Sequence, residues 1–475
     1  MAPRPGSYGA AVTPSRQART VDRIAWAAGS PRRRRPGHVP RPWVADLMLA
    51  LAGLGLGITL ALVATAESRG SLAAPGGYYL AGGRLAGFTG TYLILIMIVL
   101  IARLPWLERA VGQDRLVGWH RRLGPWALWL ITAHVVLITL GYAAVSRTGF
   151  LRQLWLFVTT YPDLLAAVVG FGLLVMAGVT SIRIARRRLH YETWWVVHLY
   201  FYLALALAFA HQIVTGVAFV GHPLARMFWI VIWAATAGTV LLFRVLLPVV
   251  RNLRHRLRVV SVIEEAPGVY SITCSGRQLS DLAVSGGQFF QWRFMTRGLW
   301  WHAHPYSLSA LPQAPFLRVT VKGLGDQSRA VAYLRTGTRV FVEGPYGAFT
   351  HHVRATDRVV LIGAGVGITP LRALLEDLPG GVEATVVIRA STAEEIVHRD
   401  ELVELVDRRA GRLHEVIGSR DAVQLDVRTL RRLVPDLASR DVYVCGPEGF
   451  NDLVIASCVG AGVPGDRIHV EQFSF

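Results

Sequence analysis

Six apolar segments, at roughly residues 43–65, 87–106, 123–145, 164–182, 191–213 and 227–249, restrict the first half of this chain to one class of structure. Each is near the ~20 residues that a helix needs to cross the ~30 Å hydrocarbon core of a bilayer. In lipid every backbone polar group must find its partner inside the segment, so the expectation is a six-helix transmembrane bundle. The composition agrees, with 52% hydrophobic residues and a mean hydropathy of +0.39.

The arginines set the orientation. Arg109, Arg115, Arg121 and Arg122 lie between segments two and three. Arg183, Arg186, Arg187 and Arg188 follow segment four, and Arg251, Arg254, Arg256 and Arg258 follow segment six. The remaining loops are poorer in arginine. Positive charge marks the cytoplasmic side, so both termini are expected inside a multi-pass cell (inner) membrane protein. Residues 1–42, rich in Pro, Ala, Gly and Arg, read as a disordered basic cytosolic tail. The run Arg32 to Arg35 has no apolar signal core before it, and no cleavage is expected. A formal charge of +19 raises nucleic acid as a partner. Its clustering beside apolar segments points instead to topology and anionic lipid, and no nucleic-acid-binding signature is present.

Four histidines stand inside the third and fifth spans or at their ends: His120 and His134, fourteen residues apart, and His198 and His211, thirteen apart. At a rise of about 1.5 Å per residue each pair is separated by roughly 20 Å along its helix. The two spans run in the same direction, so His120 is level with His198 and His134 with His211. Ionisable side chains at membrane depth are costly and by default functional. Two histidines at each of two depths suit two stacked haems with bis-histidine ligation. Fourteen residues return to nearly the same helix face, but thirteen leave His211 roughly 140° from His198. Ideal helix geometry gives no account of that second pair. Arg244, near the inner end of span six, reads as a snorkelling side chain or as a partner for a haem propionate.

After Arg258 the pattern changes. Residues 257–263, 287–294 and 316–322 are short β-rich runs punctuated by Gly, Pro and Ser, which suggests an antiparallel barrel. From residue 358 strands alternate with helical stretches, which implies an α/β domain with a parallel sheet. Gly363, Gly365 and Gly367 follow the first of those strands and open a helix. Glycines there let a backbone approach a pyrophosphate at a helix N-terminus. The three cysteines, Cys274, Cys445 and Cys458, are too few and scattered for a disulfide framework or a thiolate metal site. They fit a module facing a reducing cytosol.

The ordered motifs H-P-Y-S-L-S (304–309), V-K-G-L-G-D-Q-S (321–328), G-P-Y-G (344–347), G-A-G-V-G-I-T-P (363–370) and C-G-P-E-G-F (445–450) resemble those of the ferredoxin–NADP reductase superfamily. With the histidine spacings, residues 43–475 are similar to its transmembrane ferric reductase and NADPH oxidase branch. The resemblance implies a multidomain chain: a haem-binding membrane domain (43–250), an FAD-binding β-barrel (255–352) and an NAD(P)-binding α/β domain (353–475). It implies that Tyr306 packs on the flavin and Ser307 sits near its reactive edge, with His304 and Pro305 opening the strand. Val321, Lys322, Gly323, Gln327 and Ser328 belong to the segment for the FAD pyrophosphate. Gly363, Gly365, Gly367, Thr369 and Pro370 belong to the nucleotide turn. Cys445, Gly446, Pro447 and Glu448 end the strand nearest the nicotinamide, with Cys445 closest to the chemistry. Phe475 occupies the place of a ring stacked over the flavin. R-A-S at 389–391 replaces the acidic residue expected for an adenosine ribose, so Arg389 and Ser391, with Arg399 nearby, suit a 2′-phosphate and favour NADPH over NADH.

The cofactors expected are therefore FAD, NADPH and two b-type haems ligated by His120, His134, His198 and His211. Electrons would pass from the cytosol to a small-molecule acceptor outside. Animal oxidases of this branch carry a further histidine four residues after the outer ligand of span three. Here that position is Ile138, which offers no proton donor or positive field to nascent superoxide. The acceptor expected is a ferric chelate, with an oxidase reducing O2 to superoxide as the rival. A membrane-anchored flavin reductase lacking haem and a haem-binding sensor subunit are the other readings.

Overall fold

A computed structural model of the chain describes residues 42–182, 185, 188–189, 191–215, 219, 222–419 and 423–472. The expected tail up to residue 41, the arginines Arg183, Arg186 and Arg187, and Phe475 lie outside the described residues. The chain divides into two compact units, one of them Arg41–Leu246 and the other containing Leu247–Phe475.

The first unit is helical: α1 (Pro42–Thr65), α2 (Arg69–Ala73), α3 (Gly77–Ile101), α4 (Pro105–Val111), α5 (Gln113–Ser146), α6 (Phe150–Thr159), α7 (Pro162–Thr180), α8 (Tyr191–Thr215) and α9 (Pro223–Val240), then a π-helical turn over Leu241–Leu246. Among the described residues five helices are long and apolar enough to cross a membrane, or six if α6 and α7, bent by 114° at their break, form one span. Two expected boundaries move. The second span begins at Gly77, ten residues before the expected start, because Gly82, Gly83, Arg84 and Gly87 dilute its hydropathy while remaining helical. The third begins at Gln113, so Arg115, Arg121 and Arg122 extend a helix instead of forming a loop.

Small residues decide how these helices pack. Gly83, Gly87 and Gly90 form a stripe on α3 that faces α5. A Cβ on Gly83 would stand 2.9 Å from the Ile138 side chain, and one on Gly90 would stand 2.9 Å from that of Ile131. On α7, a Cβ at Gly170 would meet the Ala204 carbonyl of α8 at 2.8 Å. In lipid no hydrophobic force brings helices together, so close backbone approach of this kind supplies the contact energy. The Arg84 guanidinium, inside α3, is held by Glu67 at 2.6 and 2.8 Å.

The second unit opens with α10 (Leu247–His255) and continues with two three-stranded antiparallel sheets. One has the order β1 (Arg258–Ala266), β2 (Val269–Ser275), β5 (Phe316–Lys322). The other has the order β4 (His304–Ser307), β3 (Phe289–Phe294), β6 (Val340–Tyr346). Isolated bridges join them at Arg258–Arg339 and Leu308–Val319. The alternation in F-F-Q-W-R-F sends Phe290, Trp292 and Phe294 to one face. All three are fully buried in the core these sheets share with Ile272, Leu308 and Val319. Each such side chain contributes about 1.5–3 kcal/mol.

A short helix, α11 (Asp326–Ala330), follows β5. Beyond β6 the chain alternates: β7 (Arg358–Ala364), α12 (Ile368–Asp377), β8 (Glu383–Ala390), α13 (Arg399–Asp407), β9 (Arg412–Ile417), α14 (Val427–Leu433), β10 (Asp441–Gly446), α15 (Glu448–Gly460) and β11 (Ile468–Gln472). The sheet is wholly parallel, in the order β11-β10-β7-β8-β9. Val359 and Leu361 enter the core on one face, Val360 and Ile362 the core on the other. Both faces are therefore covered, as a parallel sheet requires.

Asp441, fully buried at the start of β10, clamps the sheet's opposite end. Its carboxylate accepts from the Thr356 amide and hydroxyl, both at 2.7 Å, and from His469 Nε2 at 2.9 Å. Burial acts to raise its pKa, but these donors win and hold the carboxyl below its ordinary value. Replacing Asp441 by Ala leaves the donors buried without an acceptor, and should cost about 3–5 kcal/mol, with Asp441→Asn intermediate. Thermal unfolding of the full-length protein checks this; an unchanged midpoint for Asp441→Ala would rule out the clamp.

Candidate functional site

The two histidine pairs meet. His120 on α5 and His198 on α8 have ring centroids 6.3 Å apart, and His134 and His211, farther along the same helices, 6.4 Å apart. A metal bond to imidazole is about 2.0–2.1 Å long. A five-membered ring with bonds of about 1.35 Å has its centroid roughly 1.15 Å from each atom. Two imidazoles on opposite sides of one metal ion therefore have centroids about 6.4 Å apart. Both pairs fit that separation.

The other nitrogen of each ring is engaged. The Nδ1–H of His134 donates to the Gly83 carbonyl at 2.8 Å, that of His120 to Met97 at 3.1 Å, and that of His211 to Ala208 at 2.8 Å. A carbonyl only accepts, so in these three rings the proton is on Nδ1 and the lone pair on Nε2. His198 reaches Ser181 Oγ at 3.2 Å. That hydroxyl already donates to Ala177 and receives Trp194 Nε1–H, which leaves it an acceptor for His198 Nδ1–H as well. The four rings thus share the tautomer and the outer-shell support of a metal-binding imidazole.

The thirteen-residue spacing now has an account. α8 runs unbroken through both histidines. His211 folds back onto its own helix at Ala208, whereas His198 is anchored sideways on Ser181 and stacks against Trp194 at 5.2 Å. Side-chain direction supplies the rotation that the helix lacks. Gly87 completes the outer pair from the third side: a Cβ there would lie 2.5 Å from His134 Nδ1. Its signal in the sequence, a glycine in a stripe on the neighbouring span, is visible only once the partner helix is known.

In the second unit, His304 and Tyr306 share one face of β4, with rings stacked at 5.6 Å. Pro305 points to solvent and Ser307 is buried. The Trp292 indole fixes the strand by donating to the Tyr306 carbonyl at 3.0 Å. His304 Nε2 is buried and has no hydrogen-bond partner among the described residues. Burial, followed by the neighbouring His302, lowers the His304 pKa to about 4. A buried, unpartnered nitrogen beside a half-buried phenol is a face prepared for a polar, aromatic ligand, and flavin fits it. The segment expected for a pyrophosphate is less open. Ser328 Oγ accepts from the Leu324 and Gly325 amides, both at 2.9 Å, and Gly323 N–H donates to Gly268. Lys322 is exposed, and Val321, two positions after Val319, points into the core. Gln327, in α11, is half-buried.

The remaining predicted residues gather at the carboxyl end of the parallel sheet. Gly363 on β7 is paired with Cys445 on β10 and with Ile388 on β8. This is where the strand order reverses, the place where open α/β sheets bind ligands. Gly365 has φ +55°, with nothing within 4 Å of where a Cβ would stand. Gly367 passes so close to β10 that a Cβ would lie 2.2 Å from the Cys445 carbonyl. The Thr369 hydroxyl ties down the turn by donating to Val366, and the buried Pro370 stands in the first turn of α12. Gly446 leaves room for Phe450, while Pro447 and Glu448 stand exposed at the mouth.

Two expected roles take a different form. The Cys445 thiol is fully buried among Leu361, Ile368 and Tyr443, and burial pushes its pKa well up. Cys445 meets the glycine turn through its backbone carbonyl, with the sulfur turned into the core. The Arg389 guanidinium is buried and donates to the Ala390 and Val423 carbonyls, while Arg399 is paired with Glu415 at 2.8 Å. Ser391 N–H donates to Glu395 at 3.0 Å. An acidic side chain thus does reach the end of β8, from four residues beyond Ser391.

Known proteins divide along the same line. Residues 86–209 match the family model of the ferric reductase like transmembrane component, and residues 361–455 that of the oxidoreductase NAD-binding domain. An NADPH oxidoreductase of Mycobacterium tuberculosis is 30% identical over 199 residues, covering 40% of this chain and 52% of that protein. A flavohemoprotein of Chromobacterium violaceum is 32% identical over 190 residues, covering 35% and 47%. The chain thus spans about half the length of these curated relatives. Among solved structures, the flavohem-like FAD/NAD-binding domain of a Vibrio cholerae nitric oxide dioxygenase is similar over 46% of this chain and 98% of its own, with 24% identity and a TM-score of 0.38. One chain thus joins a segment similar to a ferric reductase like transmembrane component to a segment similar to an oxidoreductase NAD-binding domain.

Proposed function

We propose that this protein carries electrons from cytosolic NADPH, through FAD and two b-type haems, across a membrane to an external acceptor, a ferric chelate before oxygen. The observation that carries the reading is the pair of imidazole pairs, at 6.3 and 6.4 Å, at two levels on the same two helices. The domains in this reading are 43–250, 255–352 and 353–475, with six spans, a closed flavin barrel and a cytoplasmic flavin module. When bound, FAD supplies the conversion from a two-electron to a one-electron donor, and the haems supply one-electron steps.

The chain's own residues position these groups. His120 and His198 would hold the inner haem, and His134 and His211 the outer one. Tyr306 would offer its ring to the flavin, with Ser307 near the reactive edge and His304 Nε2 as a buried polar contact. Val321, Lys322, Gly323, Gln327 and Ser328 would line the FAD pyrophosphate. Gly363, Gly365, Gly367, Thr369 and Pro370 would admit the nucleotide pyrophosphate to the start of α12. Cys445, Gly446, Pro447 and Glu448 would border the nicotinamide, Phe475 would cover the flavin, and Ser391, beyond the inward-turned Arg389, would face the adenosine ribose. Glu395 adds a competing preference there, since a carboxylate suits ribose hydroxyls and opposes a 2′-phosphate. Ile138 packs against Gly83 beside the outer pair, which makes that neighbourhood apolar and supports an acceptor needing no proton donor.

A reduced-minus-oxidised spectrum of the purified protein tests the central claim, with b-type bands reducible by NADPH as the expected result. His134→Leu or His211→Leu should lower haem content from two to one per chain while NADPH still reduces FAD. Gly87→Ala should do the same in part, because the added methyl collides with the His134 ring. Unchanged haem content in both histidine variants would overturn the assignment. The acceptor is tested separately, by ferric-chelate reduction without oxygen against superoxide formation in air. Chelate reduction should dominate; superoxide matching nearly all NADPH consumed, with slow chelate reduction, would reverse the preference.

A further inference from the structure

A group of four charges, two buried arginines and two half-buried carboxylates, lies between the flavin strands and the nucleotide helices, on residues to which the proposed function gives no role. Arg318 on β5 and Arg372 on α12 are 3% and 2% exposed. Arg318 donates through both terminal nitrogens to the two oxygens of Glu401 on α13, each at 2.7 Å. Arg372 Nε stands 2.7 Å from the same carboxylate, and its Nη1 donates to Glu376 one turn farther along α12. Two cations and two carboxylates make the group neutral.

Its outer contacts fall on two particular segments. Arg318 also donates to the Ser309 carbonyl at 3.3 Å, and Glu376 accepts the Leu311 amide at 2.9 Å. Ser309 and Leu311 follow Ser307 by two and four residues. Arg372 and Glu376 stand on the helix that starts at the glycine turn. An ion network of this kind is a weak source of net stability compared with apolar packing, but removing one partner leaves a charge uncompensated, so its members hold one another in place. Apolar contact alone would let these two segments slide.

We propose that Arg318, Arg372, Glu376 and Glu401 are positioning residues that fix the end of the flavin strand against the nucleotide helix, and so set the distance over which hydride passes. This rests on the flavin and nicotinamide reading given above. His398 extends the network: its Nε2 is 2.9 Å from Thr320 Oγ1 and its Nδ1 3.6 Å from Glu401. It holds φ +56°, a backbone conformation unfavourable for a non-glycine residue and maintained here by its surroundings.

Two variants test the proposal in the full-length protein reconstituted with FAD. Glu401→Asp keeps the charge and shortens its reach; Glu401→Gln keeps the shape and removes the charge. Anaerobic mixing with NADPH, and with NADPH deuterated at the transferred position, reads the hydride step directly. Both variants should keep FAD and bind NADPH within about twofold of wild type, yet reduce flavin roughly ten- to a hundredfold more slowly. The isotope effect should become more temperature-dependent, which a simple loss of stability would not cause. A wild-type reduction rate and isotope effect in a variant that holds FAD would overturn the proposal. So would loss of FAD from both variants, because the network would then serve folding alone. Failure of the wild-type protein to bind FAD would be distinct from either, and would remove the flavin reading itself.

Discussion

An imidazole N–H inside a low-dielectric bundle must have an acceptor, and most of the membrane unit's geometry answers to that requirement. Leaving one unmade costs about 1–3 kcal/mol. His134 takes the Gly83 carbonyl, which requires α3 to come within hydrogen-bonding distance of a ring on α5. That approach in turn requires glycine at 87, where a methyl group would occupy the ring's place. His198 needs an acceptor from outside its own helix and finds it in Ser181, whose own proton is committed to Ala177. Once every Nδ1–H is engaged in this way, the four lone pairs fall on Nε2, the nitrogens available to a metal.

The second unit solves a different problem, how to bring main chain close to a charged ligand without burying a counter-charge. It does so by omission of side chains. At the reversal point between β7 and β10, Gly367 runs against the Cys445 carbonyl at a separation that no Cβ allows. Gly365 adopts a left-handed conformation over open space. Charge is concentrated elsewhere, in the neutral quartet of Arg318, Arg372, Glu376 and Glu401. The two arginines and Glu401 meet in the same interior that gives Glu401 its low pKa: burial opposes ionisation, and the Arg318 hydrogen bonds overcome it.

The apolar helices and the strand–turn–helix pattern were legible in the sequence because each is periodic or local. Hydropathy misplaced the start of α3, since glycines that lower it are the residues that admit α5. Charge misplaced the start of α5, since a helix leaving the hydrocarbon keeps its backbone bonds while its side chains become polar. How His198 and His211, thirteen residues apart, both come to face α5 was not legible, because it depends on which neighbour each Nδ1–H reaches. The inward turn of Arg389, the capping use of Ser328 and the arrival of Glu395 beside Ser391 share that limit. Each is a tertiary choice between hydrogen-bond partners, and the sequence specifies only the donor.

The cysteines carry the last step. Cys274, Cys445 and Cys458 are free thiols, all buried. Burial pushes Cys458 up to about 12 and raises Cys274 and Cys445 as well. The thiolate is the nucleophilic and redox-active form, so thiols held this far above neutral pH are inert. Tyr306 is held protonated in the same way, its pKa raised by burial. Tyr306 and Cys445 therefore contribute shape and stacking, and withhold acid–base chemistry. Such sites suit a protein whose bound cofactors carry the reactivity, because stray proton transfer or thiol oxidation beside a reduced flavin would divert electrons from the membrane path.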